Sequence, residues 1–152
     1  MTRAPEELET ERLGLRRFLP ADREAYVAIR RQPGVAARLG HTSEAAETKT
    51  DWFLGLDERS WAERGHGVWA VCDRNDGSLL GHAGLWYLPS FDAVELLYGY
   101  GQQAWGRGIA TEAARAAIEV AFGALALPRV IAVVVPDNPG SLRVIDKLGF
   151  VR

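Results

Sequence analysis

The sequence predicts a mixed α/β (α+β) fold with a mostly antiparallel central sheet flanked by helices. Three observations carry that reading. Apolar runs at residues 68–72, 79–88 and 93–100 are separated only by short turns, the signature of an antiparallel meander. A strongly periodic, alanine-faced helix follows the meander across a glycine-containing turn. Two further helical stretches precede it, divided by proline and glycine. At 152 residues the chain is expected to form one domain, spanning residues 1–152.

The elements follow in order. Residues 13–18 read as a strand with Leu13, Leu15 and Phe18 as apolar anchors. Pro20 and Asp22 then mark a helix start, since proline suits the first turn and a carboxylate suits its positive end. That helix runs through Ala25, Tyr26 and Ile29 to Arg31, where Gln32-Pro33-Gly34 is read as its stop. Thr42 and Ser43 offer an N-cap for a second helix carrying Trp52, Phe53 and Leu56, closed by Gly65-His66-Gly67. Asp73-Arg74-Asn75-Asp76-Gly77 turns the chain between the strands 68–72 and 79–88, and Pro89-Ser90-Phe91-Asp92 turns it again before 93–100. In the next helix Ala110, Ala113, Ala114, Ala117, Ile118, Ala121, Phe122 and Leu125 share one face, and Pro128 is read as its end. Residues 129–135 have the β-branched density of a buried central strand. A last helix is expected over 141–148, with Gly149 as its C-cap.

Composition narrows the function. Net charge is −2, without the basic excess of a nucleic-acid-binding domain. No apolar run is long enough to span a bilayer, so no membrane association is expected. The N-terminus is charged and has no apolar core of a signal peptide, and the single cysteine, Cys72, suits a reducing compartment. A cytoplasmic location is therefore expected. His41, His66 and His82 are too scattered for a metal centre, so no metal is expected.

The chemistry concentrates in the turn at residues 101–108. A strand, a glycine turn and a helix bring unpaired backbone N–H groups and a partial positive charge to one point, where a phosphate can sit. Gly106 and Gly108 permit close backbone approach, and Arg107 stands between them. The spacing Gln103-x-x-Gly106-x-Gly108-x-Ala110 is neither the dinucleotide fingerprint nor a P-loop. Taken alone, the turn reads equally as a phosphate site or as an ordinary strand-to-helix connection.

The wider pattern adds to this. Gln103-Ala-Trp105-Gly106-Arg107-Gly108-Ile109-Ala110 resembles the Q/R-x-x-G-x-G/A motif of the GNAT superfamily of CoA-dependent N-acyltransferases. Trp105 through Ala113, Asn138-x-x-Ser141 with Asp146-Lys147-Leu148-Gly149-Phe150, and the opening Leu8 through Leu13 with Leu15-Arg16 are similar to its ribosomal-protein N-terminal acetyltransferase branch.

The resemblance implies acetyl-CoA as cosubstrate and an amine acceptor, either a small molecule or a protein N-terminus. It places the pantetheine arm beside Tyr98, Gly99 and Tyr100. It places the pyrophosphate on the amides of Trp105, Gly106, Arg107, Gly108, Ile109 and Ala110, within the motif opened by Gln103. Asn138 would contact the cofactor arm or an ordered water. Glu95 reads as the base or as a structural carboxylate, and by alternation it shares a face with Leu97 and Gly99. The wider superfamily carries a tyrosine acid where this chain has Ile145, and Ser141 reads as the substitute acid or as the N-cap of the last helix. Tyr98 and Tyr100 read as site residues or as core, His82 as a packed residue, and Cys72 as a small buried hydrophobe. The family sheet continues past the Gly149-Phe150 pair, so the C-terminal strand is expected to be missing. An open sheet edge invites a partner, and a homodimer is expected there.

Overall fold

The computed structural model describes residues 2–152. Five strands lie in sequence order, β1 (Glu7–Glu9), β2 (Leu13–Arg16), β3 (Val68–Asp73), β4 (Leu79–Leu88) and β5 (Ala93–Tyr100). Every neighbouring pair is antiparallel. Helices α1 (Arg23–Arg31), α2 (Pro33–Arg38) and α3 (Ala46–Arg64) fill the connection between β2 and β3. Helix α4 (Ile109–Phe122) follows β5, and α5 (Pro139–Lys147) lies near the C-terminus.

Strand alternation sorts side chains onto two faces. Leu13, Leu15, Val71, Leu85, Leu96 and Tyr100 pack with Ile109, Ala113, Ala114, Ala117 and Ala121 of α4. The small alanines allow α4 to lie close on the sheet. The other face carries Tyr26 of α1, Phe53 of α3 and Val68, joined by Trp86 and Leu97. The Phe53 and Trp86 rings stack there at 5.6 Å. A buried carboxylate, Asp57 of α3, accepts from the Val68 N–H at 2.7 Å and so fixes the helix to the start of β3.

The meander, the long helix after Thr42 and the alanine-faced helix form as predicted. Thr42 caps a single 3-10 turn, Ser43–Ala45, from which α3 continues, and Gly65 ends α3 at φ 76°. Cys72 is buried and free.

Several boundaries differ. The first predicted strand stops at Arg16 rather than residue 18, and Arg16 instead turns to form an ion pair with Asp22 at 2.7 Å. Gln32-Pro33-Gly34 does not end the helical region, because Pro33 takes the first position of α2, where its missing N–H costs nothing. The alanine-faced helix ends at Phe122, well before Pro128, and Phe122 is exposed rather than on the buried face. Residues 129–135 are not a buried central strand. They meet β5 at one parallel bridge, Glu95 to Ile131, where Leu96 donates to Ile131 and Ile131 donates to Val94. Beyond it the segment departs from β5, leaving Val133 59% and Val135 60% exposed. β-branched residues fit a central strand only when a strand pairs on each side, and here the pairing stops after the bridge.

Candidate functional site

Past Tyr100 the chain makes one 3-10 turn, Gln102–Ala104, and reaches α4 through two glycines. Gly106 and Gly108 have φ of 72° and 74°, a left-handed backbone that side chains with a Cβ rarely adopt. Gly108 is the N-cap of α4 and brings no side chain to cap it. Glu112 N–H makes the first helical bond, to the Gly108 carbonyl at 3.1 Å. The amides of residues 108–111 therefore have no helical acceptor, and they gather at the positive end of the helix.

These amides face a cleft of about 460 Å³. Tyr98, Gly99, Tyr100, Trp105, Gly106, Gly108, Ile109, Ala110, Asn138 and Ser141, all singled out in the sequence, line it. Val35 and Arg38 of α2, Leu39 just after it, and Arg143 and Lys147 of α5 line it too, and the sequence did not point to them. Arg38 stacks on the Trp105 ring, its guanidinium carbon 3.7 Å from the centroid. The signal for α2 was available in Pro33 followed by Val35 and Ala36. The basic residues add positive charge to the rim. Gln103 and Arg107 lie outside the cleft: Gln103 folds back over Gly101, and Arg107 is exposed.

Backbone direction along β5 decides what that strand offers. Leu96 N–H and Val94 C=O point at Ile131, so the even-numbered residues face the side away from β4. Gly101 N–H donates to Leu80 on the β4 side, consistent with the same alternation. Past the bridge, where residues 132–135 turn away, the N–H and C=O of Tyr98 and the N–H of Tyr100 have no strand partner. The Tyr100 carbonyl accepts from Trp105 Nε1 at 3.0 Å. Leu97 N–H points toward β4, whereas the Tyr98 N–H is open and can donate to a developing oxyanion.

Side chains on the same face as α4 complete the cleft. The hydroxyls of Tyr98 and Ser141 lie 2.6 Å apart. Ser141 is not the N-cap of α5: Asn138 is, its Oδ1 accepting from Ser141 N–H at 3.2 Å, and the helix begins at Pro139. The Ser141 hydroxyl is thereby released from capping. Burial raises the Tyr98 hydroxyl above its ordinary pKa, opposed by the bond to Ser141. The Tyr100 hydroxyl is buried without a hydrogen-bond partner, and burial raises its pKa as well. Ile145, at the position of the superfamily's tyrosine, is buried.

Glu95 lies on the opposite face, with Leu97 and Gly99. It is half-buried, pairs across the sheet with Trp86, and has a carboxyl raised above its ordinary range by desolvation. It stands three strand positions from Tyr98, about 10 Å along β5. It does not line the cleft. The same face holds a buried chain of polar groups in which Arg30 donates to the Tyr26 hydroxyl at 3.0 Å and that hydroxyl lies 2.6 Å from His82 Nδ1. Burial and the nearby Arg30 charge hold His82 down at about 3, so it is neutral, and its Nδ1 shares a hydrogen bond with the Tyr26 hydroxyl. His82 is a packed residue, as its isolation in the sequence suggested. Among the described residues no group of three His, Cys, Asp or Glu is placed to hold a metal, and no helix is long and apolar enough to cross a membrane.

Comparison with known proteins agrees with this geometry. Residues 12–151 match the family described as acetyltransferase (GNAT) domain. The uncharacterised N-acetyltransferase YoaA of Bacillus subtilis is 30% identical over 95% of this chain and 82% of its own. The crystal structure of an acetyltransferase from Agrobacterium tumefaciens superposes with a TM-score of 0.84 at 30% identity, covering 98% of this chain and 85% of that one. A GNAT-family acetyltransferase from Bacillus anthracis superposes at 0.77 and 25% identity, covering 96% and 84%.

Proposed function

The chain belongs to the acetyltransferase (GNAT) family, and from that membership we propose that it moves an acetyl group from acetyl-CoA to a primary amine. The acceptor is a protein N-terminus or a small-molecule amine, attacked directly. One observation carries this reading: the bare amides at the start of α4 and the unpaired backbone of Tyr98 open into the same cleft. The amides suit a diphosphate, and the strand edge suits an amide-bearing arm.

Bound acetyl-CoA supplies an activated acyl carbonyl. The residues around it divide the remaining work. Glu95, on the far face of β5, accepts the amine's proton through water, since it stands about 10 Å of strand from Tyr98. The N–C bond forms as the C–S bond breaks, and the Tyr98 N–H donates to the carbonyl oxygen as its charge grows. Ser141 gives its proton to the departing sulfur and receives one from Tyr98, which regains a proton from solvent water as the products leave the open cleft. For that, Tyr98 must donate in the 2.6 Å bond, leaving the serine hydrogen directed into the cleft. Base and acid thus lie on opposite faces of β5, with the opening between β5 and residues 132–135 joining them.

Thermal unfolding with acetyl-CoA, CoA and ATP tests the binding step, and thiol release across a panel of amines and peptides tests turnover. Stabilisation by both CoA species but not ATP, with amine-dependent thiol release, is expected. Stabilisation by ATP alone contradicts the reading. Stabilisation by CoA without thiol release from any acceptor favours a CoA-binding domain that does not turn over, for which the absent helix tyrosine at Ile145 is the supporting observation.

A further inference from the structure

The turn between β1 and β2 stands far from the cleft in sequence, yet it is bonded to the loop that opens α4. The Glu112 carboxylate, in the first turn of α4, accepts from the Thr10 hydroxyl, from the Arg12 backbone N–H at 2.9 Å and from Arg12 Nε at 2.7 Å. The same guanidinium donates through its NH1 group to the Arg107 carbonyl at 2.7 Å. Its remaining terminal nitrogen lies against Gly108, 3.3 Å from where a Cβ would stand. Arg74 holds the turn from behind, donating to the carbonyls of Thr10 and Arg12 at 2.9 Å each and pairing with Glu9 at 3.1 Å.

The Arg107 carbonyl and the Gly108 N–H belong to one peptide unit. In a planar trans peptide these two groups point in opposite directions. Gly108 lines the cleft, whereas Arg12 and Arg107 do not. A guanidinium that holds the Arg107 carbonyl outward therefore aims the Gly108 N–H inward, at the position proposed for the diphosphate. Without that hold, the Arg107–Gly108 peptide can turn over by rotation about Arg107 ψ and Gly108 φ, which a glycine tolerates.

We propose that Arg12, anchored by Glu112 and Thr10, is a positioning residue that fixes the diphosphate-binding amides of the 105–109 loop. This inference rests on the acetyl-CoA reading above. It adds a requirement that the glycine motif alone does not contain, namely a clamp supplied from the N-terminal hairpin.

The test compares two donors, acetyl-CoA and S-acetylpantetheine, which lacks the diphosphate. For Arg12→Ala the KM for acetyl-CoA is expected to rise about tenfold or more with kcat within about twofold, the range of one lost charge-assisted hydrogen-bond anchor. The kcat/KM for S-acetylpantetheine is expected to stay unchanged, so the advantage of the full donor narrows. Arg12→Lys keeps the charge but cannot hold Glu112 and the Arg107 carbonyl as one planar fork, and it is expected to recover little. Glu112→Gln and Thr10→Val, which leave Arg12 in place, are expected to give smaller losses confined to acetyl-CoA. Equal losses with both donors, full rescue by lysine, or no change in acetyl-CoA KM would each overturn the clamp. Wild-type protein that neither binds nor consumes either donor overturns the acyl-transfer reading, and the clamp with it.

Discussion

Asp57 gives the molecule a stability that depends on pH in a calculable way. Its carboxyl is 4% exposed among Gly67, Trp61 and Val68, and desolvation raises it to about 7, against the hydrogen bond from Val68 that favours ionisation. The folded state therefore binds this proton more tightly than the unfolded chain, whose aspartate titrates near 3.8. Between those values the native state carries the extra proton, so stability falls as pH rises from about 4 to 7 and levels off above. The difference corresponds to roughly 4 kcal/mol at the plateau, of which more than half accrues between about pH 5 and pH 8. Asp57→Asn keeps an oxygen to accept from Val68 but cannot ionise. Urea unfolding of both proteins across that range isolates the carboxyl, because every other titrating group is shared. The variant should gain on the wild type by roughly 2–3 kcal/mol from about pH 5 to pH 8. Parallel profiles would refute the assignment of a buried, proton-retaining Asp57.

Three further expectations concern the cleft and its surroundings. Glu95→Gln should lower kcat on the order of a hundredfold and remove a rate limb that rises with pH through the raised pKa of this carboxyl, as read from kcat against pH. Ser141→Ala and Tyr98→Phe should each reduce kcat with little change in acetyl-CoA affinity. Their double variant should lose less than the product of the two effects in steady-state kinetics, because the residues act as one bonded pair. Gly99→Ala would place a Cβ 2.8 Å from His82 Cε1 and 3.0 Å from Leu39. With the His82 ring held by Tyr26, denaturant unfolding should show a loss of about 1–3 kcal/mol.

Much of the fold was legible because its signals are local. The meander declares itself by apolar runs and tight turns, and α4 by alanines three and four residues apart. Residues 129–135 misled for a physical reason: Val130, Val133, Val134 and Val135 report a preference for pleated surfaces, whereas burial depends on which strands pair with them. Pro33 misled because proline both ends a helix and begins one, and only the following Val35 and Ala36 distinguish the cases. Asn138 took the capping role that Ser141 also suited, since the helix starts one turn earlier.

The site was legible in part for the same reason. Two glycines before an amphipathic helix are contiguous, and so is β5, whereas the walls contributed by Arg38 and Arg143 arise from packing between distant elements. The bond between Tyr98 and Ser141 crosses 43 residues, and the Arg12 contact with Glu112 crosses 100, so neither leaves a spacing to read. The motif marked where phosphates would sit, while what holds the loop and what lines the cleft emerged from tertiary structure.

Amide chemical shifts recorded during a CoA titration locate the bound cofactor on the molecule. At one equivalent, the largest shifts are expected at Gly106, Gly108, Ile109 and Ala110 and at Tyr98, with little change around the Asp73–Gly77 turn. Shifts absent from the start of α4, or concentrated away from β5, would contradict cofactor binding in the cleft.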